Sequence, residues 1–110
     1  MASSLRYKTQ VHSFLGGLDI VSRLRPITFT WKEDGARDLG LGAEEVATVE
    51  PLLAFRNKRG EIEGVKYNQL SAVLINAVKE QQQQIQELQR QLVSLKSRIG
   101  KYHRHAVPRR

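Results

Sequence analysis

With 110 residues and no cysteine, the chain has room for one small domain and excludes a disulfide framework, a thiolate metal centre and a cysteine nucleophile. Its formal charge of +7 is unevenly spread: Lys96, Arg98, Lys101, Arg104, Arg109 and Arg110 stand without an acid at the C-terminal end, leaving 12 basic against 11 acidic residues before them. The body is thus nearly neutral and no aromatic stacking pattern interleaves the basic tail, so nucleic acid is not an expected partner; no apolar run is long enough for a membrane span, and no signal-peptide pattern opens the chain.

In chain order, residues 1–10 are polar, with Ser3, Ser4, Arg6 and Lys8. Phe14, Leu15, Leu18, Ile20, Val21 and Leu24 predict a short amphipathic helix over 14–24, broken or started at Gly16 and Gly17 and stopped by Pro26. Ile27 to Trp31 alternates apolar residues with Thr28 and Thr30, the period of a half-buried strand that places Phe29 and Trp31 in the core. A charged turn carries Gly35, a short strand is expected over Leu39–Gly42, and Ala43–Val49 reads as a helix with Glu44 and Glu45 in its favourable first turn. Pro51 closes that helix. Leu52–Arg56 and Glu61–Tyr67 read as strands joined by a four-residue loop ending in Gly60, and Gly64 marks a bulge or a close backbone approach.

The rest is one helix. From Asn68 as cap to Gly100 as stop, about 31 residues would span roughly 46 Å, longer than any core this chain could build. Ser71, Val78, Ile85, Leu92 and Ile99 fall at heptad position a and Leu74, Gln81, Leu88 and Leu95 at d, a narrow coiled-coil seam in which Gln81 is the polar d residue. Such a rod must be covered by other copies of itself, and the heptads alone suit a dimer as well as a trimer. The expected organisation is a 1–67 α+β head with a short helix and a few short strands, a long helix over 68–99 and a basic tail over 100–110.

Several blocks taken together resemble a known family. Pro26-Ile-Thr-Phe-Thr-Trp31, Leu39-Gly-Leu-Gly-Ala-Glu-Glu-Val46, Pro51, Gly60, Gly64-Val-Lys-Tyr67, Leu70 and Ala77-Val-Lys-Glu80 are similar in order and spacing to the C-terminal intramolecular chaperone domain of phage endosialidases and tailspikes. The resemblance runs from Ser3 to about Leu95. It implies a homotrimer that aligns and helps fold an upstream domain of the same polypeptide, its client, and that in many members then cuts itself free. It leaves the location open between phage assembly in a host cytoplasm and a bacterial surface protein.

The family attributes that cut to a Ser-Asp-x-Arg-x-Lys segment, matched here by Ser3, Arg6 and Lys8, with Ser4 where the family usually has Asp. The resemblance therefore implies a Ser3/Lys8 catalytic dyad, Arg6 as support, and Ala2–Ser3 as the cleaved bond. A serine hydroxyl needs a base at neutral pH, and a lysine can serve only if burial or neighbouring cations lower its pKa by about three units. The opening Met1-Ala2-Ser3 matches a chain begun at the released product, which on that reading would hold no substrate and act as the separated chaperone. An alternative reading is a coiled-coil oligomerisation or adaptor module without proteolysis.

No metal or cofactor is expected. His103 and His105 flank Arg104, and a nearby cation opposes metal binding; His12 reads as a surface or interface residue. Glu44 and Glu45, adjacent on a helix, point about 100° apart and do not make an acid/base pair. Gly40 and Gly42 are too few for a phosphate loop.

Overall fold

The computed structural model describes residues 2–106, with side chains as far as Tyr102. After a 3-10 turn at Leu5–Tyr7 come α1 (Leu18–Val21), β1 (Ile27–Thr30), β2 (Arg37–Gly40) and α2 (Ala43–Val49). A second 3-10 turn at Pro51–Leu53 leads into β3 (Ala54–Arg56), β4 (Ile62–Val65) and α3 (Tyr67–Ala106). The fold is α+β, two small antiparallel sheets and short helices beside one long C-terminal helix. The long axis of 84 Å is mostly α3, about 60 Å at 1.5 Å per residue.

The first helix is shorter than its apolar pattern because its N-terminal side is tied elsewhere. Asn76 of α3 donates Nδ2 hydrogen bonds to the carbonyls of Phe14 (2.8 Å) and Gly16 (2.9 Å), which diverts them from helical pairing. Helical bonding starts at Gly17, whose N–H donates to Asp19 Oδ1 at 2.9 Å. That bond holds the Asp19 carboxyl below the usual carboxylate range.

Each hairpin forms its own two-stranded sheet. In the first, Ile27 pairs with Gly40 and Thr30 with Arg37; Gly35, at φ +74°, makes the turn. The second strand lies over Arg37–Gly40, two residues earlier than expected, because Leu41 and Gly42 lead into α2. Phe29 and Trp31 do share a face, in an edge-on contact at 4.9 Å, but that face meets no second layer. Trp31 stays 50% exposed, so the expectation that it is core is corrected: the buried cluster draws nothing from this hairpin.

The second hairpin follows the expectation more closely. Gly60 turns at φ +82°, Asn57 Oδ1 accepts the N–H groups of Arg59 and Glu61, and the register slips between Phe55 and Arg56. Gly64 sits opposite Phe55, and the Phe55 ring occupies the space where a Cβ would stand. Ile20, Val46, Leu53, Ala54 and Val73 form the core, drawn from α1, α2, the second 3-10 turn, β3 and α3.

The long helix departs from its expected ends in both directions. Leu70 donates to the Lys66 carbonyl, so helical bonding begins before Asn68, which lies in the first turn rather than at the cap. Gly100 does not stop it: the helix continues to Ala106. A single interior glycine costs about 1 kcal/mol and is outweighed where helix-forming neighbours continue on both sides.

Candidate functional site

The 3-10 turn at Leu5–Tyr7 reverses the chain between Ser3 and Lys8, and Ser4 caps it by accepting the Arg6 N–H. This local geometry lets Lys8 Nζ donate to Ser3 Oγ at 3.2 Å within one chain. Nucleophile and base candidate are thus at hydrogen-bond distance, with Ala2 immediately before the serine. Arg6 faces elsewhere. Its guanidinium donates to Ser4 Oγ (3.4 Å) and Tyr7 Oη (2.7 Å) and stacks over the Tyr7 ring at 4.5 Å. In a single protomer Ala2, Ser3 and Lys8 are all exposed.

The other sequence-derived feature is the helix seam, which the structure places clear of the head. Val73 and Ala77 are buried against the head, while Leu74 and Val78, each one residue and so about 100° further round, are not. The apolar seam residues Leu74, Val78, Ile85, Leu88, Leu92, Leu95 and Ile99 lie between 45% and 63% exposed, and Gln81 is exposed with them. Every residue from Gln81 to Ile99 is exposed. The helix has therefore two apolar faces, one spent on its own head and one without cover.

Residues 3–55 match the model of the family described as chaperone of endosialidase. The match supports the intramolecular chaperone domain family, and it opens on Ser3, taking in Lys8, the first hairpin and α2. The chaperone-family span ends at Phe55, so β4 and α3 are described by their own geometry alone. No curated protein matches the chain.

Other candidates fall apart in space. Glu45 forms a two-pronged ion pair with Arg25 (2.6 and 3.1 Å), and that side-chain bond lowers its pKa, while Glu44 takes no part. His103 and His105 lie outside the described side chains. No cluster of three His, Asp or Glu side chains suits a metal among the described residues, and no helix there is long and apolar enough to cross a membrane.

Sequence reasoning missed Asn76, which anchors the N-terminal segment onto α3 across 62 residues of sequence. An asparagine at an interior helix position, where its propensity is poor, was the available signal.

Proposed function

We propose that this chain is a C-terminal intramolecular chaperone that trimerises through the α3 seam, holds three copies of an upstream client in register while they fold, and is then released by hydrolysis at Ala2–Ser3. Closing three chains into one assembly raises their local concentration and lowers the entropy cost of nucleating a trimeric client. The observation that carries the reading is the 3.2 Å contact from Lys8 Nζ to Ser3 Oγ, made by a six-residue stretch that the family match begins on.

The chemistry follows from that contact. Neutral Lys8 takes the Ser3 hydroxyl proton as Oγ attacks the Ala2 carbonyl carbon. The Ala2–Ser3 C–N bond breaks, Lys8 returns the proton to the departing amine, and an ester joins Ala2 to Ser3 Oγ. Water then opens the ester, leaving an Ala2 carboxylate and a free Ser3 amine. A lysine base must be desolvated or set beside cations, and Lys8 is exposed in the protomer, so this reading requires neighbouring copies or upstream residues to cover it.

The test is an upstream-extended chain analysed by mass and by sedimentation. The extended chain is expected to form trimers and to separate at Ala2–Ser3, while Ser3→Ala and Lys8→Ala variants stay intact. Undiminished cleavage in both variants removes the dyad; a monomer removes the assembly.

A further inference from the structure

An open groove of about 590 Å³ lies between the two hairpins, lined by Phe29, Trp31, Val65 and Tyr67 with Gly40 and Gly64 among them. Its rim carries Asp38, Glu44 and Glu63, and no basic residue lines it among the described residues. The groove is therefore apolar within and acidic at its edge. No residue before Ile27 lines it, so the chain's own N-terminal arm does not fill it.

That arm has the opposite character. Before Asp19 the sequence contains Arg6, Lys8 and His12 and no acid. Leu5, Tyr7 and Val11 along the arm are between 61% and 68% exposed, three apolar side chains that the protomer leaves in water. Apolar side chains flanked by cations complement an apolar groove rimmed by carboxylates.

We propose that the arm over residues 5–11 of one copy docks in the hairpin groove of a second copy. The inference rests on the assembly half of the proposed function. Asn76 fixes the arm's base at Phe14, and the nine residues back to Leu5 span up to about 30 Å when extended. Parallel helices packed in a seam lie only about 8–10 Å apart, which brings a neighbouring head within that reach. A Lys8 engaged by the groove's carboxylates is drawn away from its 3.2 Å contact with Ser3 Oγ. Docking is accordingly a state that follows release, when the freed arm adds its α-ammonium to Arg6 and Lys8.

Trp31 is the single tryptophan and lines the groove, so its acrylamide quenching reads occupancy. Chains lacking residues 2–12 are mixed with full-length Trp31→Phe chains, so that the indole sits only in copies without an arm. The proposal expects quenching of those mixed assemblies several-fold below that of arm-less assemblies alone. Arg6→Glu in the arm-bearing chain is expected to abolish the protection, and Glu44→Arg with Glu63→Arg in the arm-less chain to restore it. Trimers whose Trp31 is equally quenched with and without a partner's arm overturn the docking proposal and leave the assembly standing. If the full-length chain sediments as a monomer, docking and assembly both fall.

Discussion

Val73 and Leu74 are consecutive in α3, yet Val73 is 2% exposed against the head and Leu74 is 45% exposed on the uncovered side. One step along the helix thus separates a side chain that holds the protomer together from one available to hold protomers to each other. The distinction is testable because the two sets of residues can be changed independently. Replacing Ile85, Leu88 and Leu92 together by alanine is expected to abolish trimers in sedimentation while leaving the head's unfolding transition in place. Val73→Ala should instead lower the head's own stability by roughly 1 to 3 kcal/mol, read in thermal unfolding.

Lys8→Arg separates proton transfer from mere positioning. Arginine keeps the charge and can remake a hydrogen bond to Ser3, but it does not deprotonate in a protein. In an upstream-extended chain, cleavage is expected to fall by about 10²- to 10⁴-fold, the usual loss when a general base is removed. Cleavage retained near the original rate would reduce Lys8 to a positioning residue.

Two glycines that both face close neighbours should respond differently to alanine. A methyl at Gly17 would strike the Glu80 carboxylate and lie 3.0 Å from the backbone nitrogen of Ala77, which cannot swing aside. Gly17→Ala is expected to cost about 1 to 3 kcal/mol. At Gly64 the obstacle is the far edge of the Phe55 ring, which is half-exposed and free to move, so Gly64→Ala should cost less. Paired melting curves check the ranking.

Asn76→Ala removes both bonds that pin the N-terminal segment to α3. The expected loss is about 1 to 3 kcal/mol, and amide exchange should quicken in α1 before it does in the second hairpin.

Acid should weaken the head in a defined direction. Asp19 is held low chiefly by the Gly17 N–H, Asp38 by the Leu39 N–H and then the Trp31 indole, and Glu45 by its bond to Arg25. A folded pKa below the unfolded one contributes stability that is full above the unfolded value and is lost as pH falls through the folded one. Melting temperature is therefore expected to be level from neutrality to about pH 5 and to decline below about pH 4, with a shallower decline in Glu45→Gln. All three carboxylates are exposed, so salt should blunt the effect.

Much of the fold was legible because local signals and tertiary packing agree. Ala43–Val49 forms the expected helix, with Val46 inward and both acids in its first turn, and Gly60 turns the second hairpin at positive φ. The sequence signals fail where contacts distant in the chain decide. Phe14 and Leu15 fit a helical pattern, but Asn76 claims the carbonyls that would continue it. Trp31 alternates like a core residue, yet its hairpin packs no second layer, and periodicity reports which side chains share a face rather than what lies opposite. Gly100 is a stop signal only when nothing favours continuing. The Ser3 and Lys8 spacing carries little information by itself; the intervening 3-10 turn makes it a contact.

From Gln81 to Ile99 nothing in the protomer shields α3. A lone helix of that length is marginal in water, because too few side chains leave solvent to offset the ordering of its backbone. Its winding should accordingly vary with how much protein is present. On serial dilution, circular dichroism at 222 nm would fade as the rod frays, while amide protection of the buried head residues Val46 and Leu53 keeps a folded baseline. On the proposed assembly, the uncovered rod would serve as a gauge of the chain's own abundance.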